Sequence, residues 1–198
     1  MIEDIYVSGA FEADPCKQRF LVMQVLLFFG IKRYSDIPML TINDVSFLKD
    51  GSVEVVVRKS KTDQLGRGAE FYLSGEKVGG VCIPDIIRWY VRGLGLKGGD
   101  FLFPKLRYEK GAVVAIKGLQ VSYSAAASQL KAEVKRLGLN NISLHSGRIG
   151  GATQGALAGM SQQKIKAVGG WKSSASADLY TRLERPGVEF SSTMMKRL

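Results

Sequence analysis

The chain has 198 residues, 45% of them hydrophobic, and a formal net charge of +10 from 28 Lys and Arg against 18 Asp and Glu. That apolar content excludes general disorder and suits one large domain or two small ones. The basic surplus draws the chain to a polyanion, either nucleic acid or an anionic surface, and a single histidine excludes a metal site built on several.

Cys16 and Cys82 make neither a metal-spaced pair nor a disulfide framework, so a reducing compartment is expected. No secretory signal opens the sequence. The apolar stretch from Phe20 to Phe29 is interrupted by Gln24 and falls short of the roughly 20 residues a bilayer requires. The expected location is the nucleus in a eukaryote and the cytoplasm otherwise, with no membrane partner.

In chain order, Met1 to Pro15 is acidic and loop-like. Cys16 to Phe29 is apolar nearly all round and predicts a buried helix ending at Gly30. Pro38 limits any helix through Arg33 to Asp36 to a short turn. Thr41 to Phe47 and Ser52 to Arg58 are rich in β-branched residues and flank Lys49-Asp50-Gly51, the pattern of a hairpin. A third strand is predicted from Ala69 to Leu73, after the Gly66-Arg67-Gly68 turn. Helical periodicity returns from Pro84 to Arg92 and is broken by Gly93, Gly95, Gly98 and Gly99.

Leu106 to Gly118 reads as a basic loop. Ser122 to Leu137 predicts an amphipathic helix stopped by Gly138. His145 to Gly159 contains Gly150, Gly151 and Gly155, so its weak helix propensity demands tight packing. Short helices are expected at Gln162 to Val168 and Ser176 to Leu183, and a further one in the tail, Val188 to Leu198. The predicted fold class is mainly α with a small antiparallel β-sheet, an α+β domain with no clean internal boundary.

Several residues carry chemistry, each beside an ordinary structural role. On a helix, His145 and Arg148 stand one turn apart on one face, where a guanidinium fork and an imidazole can hold a phosphate; the pair also suits a capped helix start. Arg33 ends a buried element with Asp36 close enough to orient a neighbour, or the two form a surface ion pair of little worth. Lys59 and Lys61 lie where the hairpin strand ends, as proton donors to a nucleic acid or as solvated turn residues. Trp171, after Gly169-Gly170, offers one indole N–H or simply fills core. Tyr180 is a candidate nucleophile or a packing residue.

The order of these blocks, from about Cys16 to Arg182, resembles the tyrosine recombinase (phage integrase) family. The specific matches are Leu144-His145-Ser146-Gly147-Arg148 and Gly169-Gly170-Trp171 with Leu179-Tyr180. Arg33-Tyr34-Ser35-Asp36 is similar to the family's first box, and Lys61 in Ser60-Lys61-Thr62 to its hairpin lysine, with Lys59 the alternative. Arg33-Tyr34-Ser35-Asp36-Ile37 and Ser60-Lys61-Thr62-Asp63-Gln64 also resemble DIRS-type retrotransposon recombinases.

The resemblance implies the family's catalytic-domain fold and double-stranded DNA as substrate. Arg33 and Arg148 would hold the scissile phosphate, with His145 and Trp171 adding hydrogen bonds and Asp36 in support. Tyr180 would attack phosphorus and Lys61 would protonate the leaving 5′-oxygen. No metal and no small-molecule cofactor is implied, and self-assembly on DNA as a dimer or tetramer is. The domains expected are an extension over 1–15, the catalytic domain over 16–185 and a tail over 186–198 that can exchange between subunits. About fifteen residues ahead of the domain are too few for the N-terminal half of the family's DNA clamp. A non-cleaving DNA-binding module and a type IB topoisomerase-like enzyme remain the alternatives.

Overall fold

The computed structural model describes residues 14–58, 68–77 and 82–181. Helix α1 (Pro15–Phe29) starts where the Asp14 carboxylate accepts the Cys16 N–H at 2.8 Å, and it ends at Gly30. Phe20 to Met23 and Val25 to Leu27 are all buried, so α1 is the central rod of the core. It packs against α2 (Ile83–Gly93), α3 (Tyr123–Arg136) and α4 (Ser146–Leu157). Two shorter helices follow, α5 (Gln162–Gly169) and α6 (Ser174–Asp178).

Strands β1 (Val45–Phe47), β2 (Val53–Val57) and β3 (Ala69–Leu73) form an antiparallel sheet in the order β1-β2-β3. Alternation places Val53, Val55 and Val57 on the buried face, with Leu73 and Phe71 opposite Val53 and Val55. The first strand is shorter than the sequence predicts. Thr41 to Asp44 turns as a 3-10 segment, because the Asp44 carboxylate accepts the Thr41 N–H and hydroxyl, both at 2.8 Å. Lys59, Lys61 and the Gly66-Arg67 part of the third turn lie outside the described residues, as do 1–13 and the tail from Arg182.

The basic loop expected over Leu106 to Gly118 is instead a two-stranded ribbon, β4 (Pro104–Glu109) against β5 (Ala112–Gln120). Its turn is Lys110-Gly111, with φ of 50° and 85°, the left-handed pair that suits a tight hairpin. A second correction falls at α6. Ser173 accepts the Ser176 N–H at 3.2 Å and starts the helix at Ser174, and it ends at Asp178. Tyr180 therefore sits in the turn after the helix, its N–H on the Ala177 carbonyl at 3.0 Å.

The glycines of α4 are explained by proximity. A Cβ on Gly151 would lie 2.0 Å from the Phe28 carbonyl oxygen, and one on Gly147 would lie 2.9 Å from Leu27 Cβ. Backbone thus packs on backbone at the α1–α4 crossing. Gly151→Ala is expected to lower stability by about 3 kcal/mol, since main chain cannot rotate away. Gly155→Ala meets only ordinary contacts, the nearest at 3.5 Å, and should be neutral or stabilising by up to about 1 kcal/mol through helix propensity. Thermal melts of both variants check the pair; equal melting temperatures would contradict the packing.

Candidate active site

Beside the main core lies a smaller cluster of Ile31, Ala152, Ile165, Trp171 and Ala177, with Tyr180 packed against it. The glycine crossing brings Arg148 into this cluster. Its side chain is 0% exposed, and Nη1 donates to the Ile31 carbonyl at 2.5 Å. Ile31 has φ of 51°, a left-handed conformation costly for a β-branched residue, and this backbone excursion is part of the turn that presents its carbonyl.

The guanidinium carbon lies 4.0 Å from the centre of the Trp171 ring and 5.0 Å from that of Tyr180. Trp171 and Tyr180 ring centres are 5.1 Å apart, tilted by 42°. His145, at the N-terminus of α4, meets the other side of Tyr180 edge-on, 5.1 Å between centres at 65°. Four of the residues singled out in the sequence, His145, Arg148, Trp171 and Tyr180, therefore come together from α4, the turn after α5 and the turn after α6.

Arg33 borders this group, half-buried. Its backbone is held by Asp36, whose buried carboxylate accepts the Arg33 N–H at 3.0 Å while the Asp36 N–H donates to the Arg33 carbonyl at 3.0 Å. Asp36 thus orients the first arginine through its main chain. Arg33 is also close enough to act on Arg148. Burial first, and the Arg33 charge next, push the Arg148 guanidinium down to about 10, still cationic at neutral pH.

Three donors in the cluster stand out. Nε and Nη2 of Arg148 and Nε1 of Trp171 are buried and have no hydrogen-bond acceptor among the described residues. Buried N–H groups are rarely left so, because each forfeits about 1–3 kcal/mol of solvation without recompense. The oxygens of an anion are among the acceptors that such donors take.

Sequence reasoning missed Lys32. It is buried, its Nζ donates to the Val168 carbonyl in α5 at 2.7 Å, and it lies 4.7 Å from the centre of the Phe71 ring on β3. The only local signal was a lysine placed directly after a wholly apolar helix. Nothing in the sequence links it to a carbonyl 136 residues away.

This topology is that of a tyrosine recombinase catalytic-domain fold. The chain is similar to the XerH site-specific recombinase in a post-cleavage complex with its palindromic difH substrate, at a TM-score of 0.71 and 14% identity over 98% of this chain. It is similar to XerA recombinase at 0.68 and 18% over 98%. The transposon Tn1549 integrase with circular intermediate DNA gives 0.64 and 16% over 98%. The chain spans about half the length of XerH (51%), 59% of XerA and 64% of that integrase fragment. No protein-family model and no curated protein matches it at the level of sequence.

Proposed function

We propose that this chain cleaves and rejoins double-stranded DNA in site-specific recombination or element integration, through a phosphotyrosine on Tyr180. The observation that carries the reading is the set of three acceptor-less N–H groups of Arg148 and Trp171 beside the Tyr180 ring. A phosphodiester has non-bridging oxygens to satisfy them, and those oxygens gain charge as phosphorus is attacked.

In this mechanism Arg148 and Arg33 hold the non-bridging oxygens, and the Trp171 indole adds a hydrogen bond. The Tyr180 oxygen forms a bond to phosphorus as the bond to the 5′-oxygen breaks, and the tyrosine proton passes to His145. Lys61 protonates the departing 5′-oxygen. The products are a 3′-phosphotyrosyl link and a free 5′-hydroxyl, and attack by another 5′-hydroxyl reverses the step, so bond energy is kept without ATP. Exchange between two sites needs several strands cut together, so the chain works as a dimer or tetramer on DNA, in the nucleus of a eukaryote or the cytoplasm otherwise.

A nicked duplex whose short fragment bearing the new 5′-hydroxyl diffuses away after cleavage traps the intermediate. The expected result is a covalent protein–DNA band, with the DNA mapped to Tyr180 by mass spectrometry of the digest. Binding without any covalent band on the element's own terminal sequence would favour a non-cleaving module, and site-independent relaxation of supercoiled plasmid would favour a topoisomerase.

A further inference from the structure

Lys32 joins three parts of the molecule that the candidate site depends on. It directly precedes Arg33 in the chain. Its ammonium bonds the Val168 carbonyl in the last turn of α5, which leads through Gly169-Gly170 to Trp171. A cation at a helix C-terminus is also favoured by the helix dipole. The same ammonium lies over Phe71 on β3, the strand that follows the segment containing Lys61. At 5% exposure this lysine is no solvated surface charge, and an apolar residue could fill the space without desolvating an ammonium.

We propose that Lys32 is a positioning residue: by fastening the end of α5 to β3 and to the Arg33 turn, it holds the Trp171 indole against Arg148. This rests on the strand-cleavage reading only for its effect on rate; the joint itself is a matter of structure.

The charged groups acting on Lys32 are Asp36, Arg148 and Arg33, while β3 and α5 present a ring and a carbonyl. Desolvation is the main influence and pushes the ammonium down to about 8; Asp36 opposes it, and Arg148 and Arg33 add to it. Above that pH the bond to Val168 loses its charge assistance and the ring loses its cation, so the joint loosens. The unfolded chain keeps this proton up to the ordinary 10.5. Stability should therefore rise with pH between about 8 and 10.5, because the unfolded state binds more protons there.

The test uses the full chain with Trp89→Phe, which leaves Trp171 as the sole tryptophan. Lys32→Met is expected to increase acrylamide quenching of Trp171 and to slow single-turnover cleavage roughly 10- to 100-fold, the usual cost of a small misplacement. Duplex binding should stay near that of the Trp89→Phe parent. In that parent, Trp171 emission should shift with a midpoint near pH 8 while the circular dichroism stays constant, and Lys32→Met should abolish the shift. Unchanged quenching and cleavage in a folded Lys32→Met protein would overturn the proposal. Should that variant not fold, flat Trp171 emission in the parent from pH 7 to 9.5 would overturn it equally. If the parent fails to cleave DNA at all, the functional reading falls while the fluorescence still decides the role of Lys32.

Discussion

Tyr180→Phe is expected to abolish the covalent protein–DNA adduct, with cleavage reduced below detection, while duplex binding stays within about 3-fold of wild type. The hydroxyl is the only atom removed, so the ring can keep its place against His145, Trp171 and Arg148. Melting should change little, because the substitution opens no cavity and the ring keeps its packing. A nicked-duplex assay resolved on a denaturing gel reads the first outcome, and a melt and a binding isotherm read the others. An adduct that persists in Tyr180→Phe would move the nucleophile to another tyrosine and dismantle the proposed mechanism.

Arg148→Met is expected to separate activity from stability. The guanidinium is the deepest charge in the cluster, and two of its nitrogens find no acceptor there. Losing it should slow cleavage by roughly 10²- to 10³-fold, the cost of one donor aimed at developing charge. Stability without DNA should hold or rise by up to about 2 kcal/mol, because replacing an incompletely compensated buried charge by an apolar chain is often favourable. The Ile31 carbonyl loses its donor, yet Ile31 is then free to leave its left-handed conformation. Single-turnover cleavage and a thermal melt of one preparation check both halves. A melting temperature several degrees below wild type would show that Arg148 supports the fold rather than loading it.

Helices with a long apolar run or a clear amphipathic face were legible in the sequence. Helix α1 was, because its apolar run is closed by Gly30, and α3 was, because its alternating faces end at Gly138. The ribbon β4–β5 was not. Its turn is Lys110-Gly111 rather than an Asn-Gly or Asp-Gly pair, and its strands are covered too little to show clean alternation. Helix α6 began and ended early because Ser173 outcompeted the later serines as its cap. At the site, residue types and spacing brought out His145, Arg148, Trp171 and Tyr180, which do meet. Lys32 stayed hidden, since its significance lies in contacts made across the chain and not in its neighbours. Lys61 lies outside the described residues, so its place rests on the resemblance alone.

The close crossing of α1 and α4 has a geometric consequence. Arg33 follows four residues after the end of α1, and Arg148 sits on the second residue past Ser146 in α4. Gly147 and Gly151 bracket Arg148, so its Cα is gauged directly against the main chain of Leu27 and Phe28. No rotamer stands between the two rods to take up slack. The start of α4 is thereby indexed to the end of α1 as a key is to its slot, so the Cα of Arg148 holds its place however the neighbouring side chains breathe.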